Sequence, residues 1–148
     1  MKIKEIMYKD ISSVDPEISI EILLKVLTKH HRSSIPVVND DNEVIGMVQV
    51  EDIIRGSLPS YYNMIQNTSF IPDMNQLFKR LNSMKTQKVK DIMQTKFISA
   101  TEEDTNTYVA DLMIKNNLQS IPILRNKKLV GVVDRIDFLS SLLVDERK

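Results

Sequence analysis

The sequence predicts an α/β (α+β) fold in which two β-α-β-β-α repeats pack pseudo-symmetrically against each other. Three observations lead there. First, shifted by 86 residues the chain lies on itself: "IKEIM" (3–7) meets "VKDIM" (89–93), Ser13 meets Ser99, and "SIP" (34–36) meets "SIP" (120–122). One extra residue in the first copy lowers the shift to 85, after which Gly46 meets Gly131, Val48 meets Val133 and Asp52 meets Asp137. Register held over roughly fifty residues with a single slip marks a duplication. Second, strand and helix patterns follow in the same order in both copies. Third, the strands are continuous apolar β-branched runs, which need helices over at least one face. A chain of 148 residues suits one compact domain, or two very small ones that share a core.

Each copy opens with an extended stretch, "ISSV" (11–14) or "FISA" (97–100). A helix follows. "SIEILLKVLTKH" (19–30) sets Ile20, Leu23, Leu24 and Leu27 on one face, the i, i+3, i+4, i+7 pattern. Its counterpart "NTYVADLMIKNN" (106–117) aligns Val109, Ala110 and Met113, with Asn106 opening it. "TEED" (101–104) has the form of a helix start, an oxygen-bearing side chain three residues before an acid. A strand comes next, "IPVV" (35–38) or "IPIL" (121–124), then a polar turn, "NDDNE" (39–43) or "RNKK" (125–128). The third strand is "VIGMVQV" (44–50) or "LVGVVDR" (129–135), and the closing helix is "EDIIRG" (51–56) or "IDFLSSLLVD" (136–145). Between the copies, "DMNQLFKRLNSM" (73–84) follows Pro72 and reads as an amphipathic helix with Met74, Leu77, Phe78 and Leu81 on one face, expected to cover the shared core. The resulting division is 1–57 for the first repeat, 58–87 for the linker with its short helix, and 88–148 for the second repeat.

Composition removes several function classes. Lys plus Arg equals Asp plus Glu at 20 each, so no general electrostatic pull toward nucleic acid or a membrane follows. Cysteine is absent, which excludes disulfides, a Cys zinc site and a Cys nucleophile and fits a cytoplasmic location. The N-terminus "MKIKEIMYKD" has no signal-peptide core, and the apolar runs are too short to span a bilayer. Neither a phosphate-binding G-x-x-x-x-G-K loop nor a G-x-S-x-G elbow occurs. No enzyme, catalytic residue or metal site is expected. The pair His30–His31 lacks a partnering carboxylate at helical spacing, and a helix C-terminus favours His on its own account.

The repeated positions that bear chemistry are few. Gly46 and Gly131 interrupt strands, where glycine marks close approach by a ligand or a neighbouring chain segment. Asp52 and Asp137 fall at the start of the last helix of each copy. A carboxylate there can cap the helix, and it can equally accept two hydrogen bonds from a ribose diol. Both readings stand at this level.

Two β-α-β-β-α units, each with an "I-M" lead-in, an "S-I-P" strand and a G-h-h-x-x-x-D turn, resemble a tandem pair of CBS domains, the regulatory modules named after cystathionine β-synthase. The resemblance covers most of residues 2–56 and 88–144. It implies repeats packed through their sheets into a disc-like unit, the Bateman module, with two related clefts for adenine-containing ligands such as AMP, ATP, cyclic di-AMP or S-adenosylmethionine. It implies no chemistry and no required cofactor. The expected partners are such a small molecule, a second copy in a flat homodimer, and a regulated protein acted on in trans. Matched position by position, one cleft joins Asp52 and Gln49 to Ile98, Ser99, Ala100, Ser120, Ile121 and Pro122. The other joins Asp137, Asp134 and Arg135 to Ser12, Ser13, Val14, Arg32, Ser33, Ser34, Ile35 and Pro36. Members of the family usually carry Thr or Ser three residues before the Asp, on phosphate or ribose. This chain departs from that with Gln49, which can still hydrogen-bond, and Asp134, which has the wrong sign for a phosphate unless Arg135 or Lys128 compensates. Arg32 makes the Asp137 cleft the better of the two for a phosphorylated ligand. The other reading is a structural, dimerising adaptor that binds a protein and no small ligand.

Overall fold

The computed structural model describes residues 2–7, 13–57 and 74–145. Ser12, Tyr61 and Tyr62 lie outside them, as do the side chains of Met74 and Leu77. The first copy consists of α1 (Ile20–His30), β1 (Ser34–Val38), β2 (Val44–Gln49) and α2 (Val50–Ser57). Helix α3 (Met74–Met84) follows. The second copy holds β3 (Ala100–Thr101), α4 (Asn106–Lys115), β4 (Ser120–Arg125), β5 (Lys128–Asp134) and α5 (Arg135–Asp145). β1 pairs antiparallel with β2; β3 runs parallel to β4, which is antiparallel to β5. The first copy keeps the counterpart of β3 as a single parallel bridge, Val14 to Val37.

Local chemistry explains the element ends. Ser19 caps α1 by accepting from the Ile22 amide at 3.2 Å, and Thr105 caps α4 by accepting from Tyr108 at the same distance. The "TEED" segment is therefore not the helix start. It is a turn closed by the Thr101 amide on the Asp104 carboxylate at 2.8 Å, and Thr105 wins the cap because its hydroxyl stands immediately before the first helical residue. The hairpin between β4 and β5 turns on Asn126 and Lys127, both at positive φ (52° and 70°), the geometry of a two-residue turn that matches strand twist. Both hairpins carry a register shift beside the repeated glycine, between Val37 and Val38 and between Ile123 and Leu124.

Two cores result. One gathers Leu23, Leu27, Ile35, Val37, Val48 and Ile53; the other gathers Val109, Met113, Ile121, Ile123 and Val133. The lead-in segments are exchanged between them. Ile3, fully buried, belongs to the second core, and Val89, equally buried, belongs to the first. The Ile3 amide donates to Asp104 O at 2.7 Å, and the Val89 amide to Ile18 O at 3.0 Å. Ion pairs repeat the exchange: Lys2 and Lys4 hold Glu103, while Lys88 and Lys90 hold Glu17. The neighbour that approaches each strand glycine is likewise the other copy's lead-in, Met93 and Gln94 at Gly46, Met7 at Gly131.

Helix α3 packs on α2. Its expected face is only partly used: Leu81 packs against the first core and Met84 enters it, whereas Phe78 stays 61% exposed.

Candidate functional site

The end of α1 and the start of α5 meet where the two copies adjoin. α1 terminates on His31 in the left-handed conformation (φ 52°), which turns the chain so that Arg32, Ser33 and Ser34 lead into β1. On the opposite side β5 passes into α5 through Asp134 and Arg135. A cavity of about 380 Å³ lies between, lined by His31, Arg32, Ser33, Ser34, Gln119, Asp134, Arg135, Ile136 and Leu139. Five of the residues expected in the Asp137 cleft (Arg32, Ser33, Ser34, Asp134 and Arg135) line this cavity; Asp137, half-buried in the first turn of α5, is not among the lining residues.

Asp137 stands at the third position of α5, and its Oδ2 accepts from the Asp134 amide at 2.6 Å. Asp52 does the same for α2, accepting from the Gln49 amide at 2.8 Å. This is the backward half of a capping box, so the capping role of both residues is present. The second oxygen differs. Oδ1 of Asp52 accepts from Gln94 Nε2 at 2.8 Å and is thus already engaged, inside a residue only 9% exposed. Asp137 has no such side-chain partner among the described residues.

The Asp134 carboxylate accepts from Arg32 Nη1 at 3.0 Å, an ion pair between the copies with side chains 33% and 14% exposed. Arg135 does not offset Asp134. Its guanidinium is drawn away to Leu118 O at 2.7 Å and Asn117 Oδ1 at 3.1 Å. Lys128 is at the far end of β5, bridged to Glu43 where the hairpin tips meet. The compensating cation is Arg32. Burial raises the Asp134 carboxyl above its ordinary range; Arg32 pulls it down and Asp137 pushes it further up. Burial also raises Asp137, against the Asp134 amide and Arg32.

Ser34 Oγ and Ser120 Oγ, related by the repeat, are buried with no hydrogen-bond partner among the described residues. Their residues are 5% and 8% exposed. Leaving such a hydroxyl unpaired costs about 1–3 kcal/mol; of the two, Ser34 lines the cavity with Arg32 and Asp134.

Other expected residues serve differently. Ile35 and Ile121 are fully buried core side chains, unable to stack on a ligand, and Pro36 and Pro122 are buried beside them. Val14 commits its amide to Pro36 O and its carbonyl to the Val38 amide. Ala100 is buried in β3, and Ile98 packs on the second core. Ser99 lines a separate cavity of about 450 Å³ with Lys96, Lys127 and the Asn39–Ile45 turn. Ser13 is half-buried. Sequence reading missed Gln94, Ile136 and Leu139, and it set Leu118–Gln119 beside the Asp52 cleft, whereas Gln119 lines the cavity with Arg32 and Asp134. Gln119 is the repeat partner of Ser33, so the shift points it to the other cleft, yet both line this one cavity; Gln94 matches Tyr8, so the repeat carried no signal for it.

A family model of the CBS domain matches residues 3–58 and 89–144. A protein of Methanocaldococcus jannaschii is 29% identical over 162 residues, covering 97% of this chain and 92% of its own. The CBS-pair protein CBSX2 from Arabidopsis thaliana superposes with a TM-score of 0.80 at 18% identity, over 99% and 97% of the two chains, and CBSX2 has also been solved in complex with AMP. The CBS domain pair of protein MJ0100, solved in complex with 5′-methylthioadenosine and S-adenosyl-L-methionine, gives a TM-score of 0.70 at 23% identity over 100% and 98%. No helix among the described residues is long and apolar enough to cross a membrane. The chain belongs to the CBS domain family as a pair of such domains, a non-catalytic regulatory module.

Proposed function

We propose that this CBS pair senses an adenine-containing ligand (AMP, ATP, cyclic di-AMP or S-adenosylmethionine) in the Asp137 cleft and passes the signal to a partner protein in trans, in the cytoplasm. The observation that carries the reading is the buried, unpartnered Ser34 hydroxyl on the wall of a cavity that both copies build. Asp137, with one oxygen outside the helix cap, supplies an acceptor for a ribose diol. The adenosyl compounds held by the CBS domain pair of MJ0100 and the AMP held by CBSX2 support the ligand class.

The module acts as a homodimer. Ile22 (48% exposed) on α1 and Tyr108 (50%) on α4 occupy equivalent positions of the repeat and stand outside the cores, and Ile54 on α2 is exposed as well. Burying such faces needs a partner surface. Light scattering is expected to give twice the 17.1 kDa chain mass.

Thermal shift with an adenine-compound panel tests the sensing role. A ligand at a hundred times its Kd adds about 2.7 kcal/mol of stability. If none of the panel moves the Tm, and native mass spectrometry of freshly purified protein finds nothing bound, the dimerising adaptor replaces the sensor. The exposed apolar face is what favours that second reading.

A further inference from the structure

We infer that the Asp137 cleft selects adenosine compounds whose 5′ substituent is uncharged or cationic, a thioether or a sulfonium, over 5′-phosphates, with Asp134 as the specificity-determining residue. This rests on the adenosine reading of the cleft and narrows it.

Both guanidiniums on the cavity wall are committed. Arg135 is turned onto Leu118 O and Asn117 Oδ1, and Arg32 is paired with Asp134 at 3.0 Å. The start of α5 would ordinarily attract an anion, yet the Asp137 carboxylate already caps it, and the Asp134 carboxylate lies beside the cavity, paired with Arg32. A 5′-phosphate entering here competes with Asp134 for Arg32 and shares the space with the Asp134 carboxylate, and like charges at such range repel strongly outside bulk water. An uncharged thioether leaves the pair intact. A sulfonium gains the Asp134 carboxylate as counter-charge. Ser34 is the independent sign that the space receives a polar ligand: 5% exposed, lining the cavity, its hydroxyl without a partner among the described residues.

Isothermal titration calorimetry on the full chain at fixed ionic strength, with adenosine, 5′-methylthioadenosine, S-adenosylmethionine and AMP, decides it. The expected result is AMP weaker than 5′-methylthioadenosine by about tenfold or more. Asp134→Asn should tighten AMP by about tenfold, weaken S-adenosylmethionine, and leave 5′-methylthioadenosine within about twofold. AMP binding the native chain as tightly as 5′-methylthioadenosine overturns the selectivity while leaving the adenosine reading in place. So does an AMP to 5′-methylthioadenosine ratio unchanged by Asp134→Asn. Failure of all four compounds to bind overturns both readings at once. The native-chain ratio decides even if the variant does not fold.

Discussion

Asp134 and Asp137 are three residues apart and carry opposite duties at one helix start. Asp137 caps α5 through the Asp134 amide, while the Asp134 side chain reaches across to Arg32. Asp137→Ala should therefore lower stability by about 1 kcal/mol, the worth of a cap. It should also weaken adenosine binding by roughly tenfold to a hundredfold, since charge-assisted bonds to a diol are lost. Asp137→Asn separates the two, because an amide oxygen still accepts from the Asp134 amide. Expected is a near-native Tm with weakened affinity; both quantities unchanged would leave Asp137 a cap and nothing more. Titration adds a second handle on Asp134. Its carboxyl is raised from an ordinary value of 3.8, chiefly by burial. A raised acid makes the folded state the tighter proton binder, so stability falls as pH climbs from the unfolded value through the folded one. The stability difference of Asp134→Asn minus native should therefore move in the variant's favour between pH 3 and pH 7, in urea melts. The exposed Glu17 and Glu103 shift the other way, lowered by their lysine partners, so their contribution holds above the usual carboxylate value and is lost as pH falls.

Three glycines test how tightly the elements approach. A Cβ on Gly46 would meet Met93 Sδ at 2.8 Å and the backbone oxygen of Gln94 at 3.0 Å, and that oxygen accepts from the Met47 amide at 3.0 Å. A Cβ on Gly131 would crowd Met7 along its stem, Cγ at 2.9 Å and Cβ at 3.3 Å. Gly56 in α2 would meet only the end of the Met84 side chain, Cε at 2.8 Å, which has rotatable bonds by which to give way. Chemical denaturation should show Gly46→Ala and Gly131→Ala each costing about 1–3 kcal/mol. Gly56→Ala should be neutral or stabilising by up to about 1 kcal/mol through helix propensity. Equal losses at all three sites would mean that the lead-ins yield without cost. The strands, both repeated helices and the caps at Asp52 and Asp137 were legible in the sequence, because periodicity and the 86-residue shift report faces and ends. The exchange of lead-ins was not. Ile3 and Val89 occupy the same place in the repeat, so packing each on its own copy or on the other satisfies an identical pattern. The Arg32–Asp134 pair was legible only as two residues assigned to one cleft; that Arg135 turns away depends on the Asn117–Leu118 loop, which local pattern does not encode.

The exchange makes the two repeats one molecule. Each core is closed by an isoleucine or valine from the opposite half of the chain, and each exchanged segment is fastened by backbone bonds and by lysines on a glutamate. Those ion pairs are exposed and individually worth little; the buried side chains carry the coupling. Cutting between residues 57 and 88 does not separate two self-sufficient domains, since a fragment of residues 1–57 would lack Val89 and leave Ile3 without its host. The sharpest consequence is directional. Ile3→Ala removes a fully buried side chain, a change that costs about 2–5 kcal/mol in a packed core. Native-state hydrogen exchange should place the lost protection in α4, β4 and β5, more than eighty residues away in sequence, because local opening follows the packing that a residue supports. Val89→Ala should do the reverse and loosen α1, β1 and β2. If Ile3→Ala instead exposes residues 13–57 and spares 100–134, the exchanged arrangement is wrong and each lead-in serves its own copy.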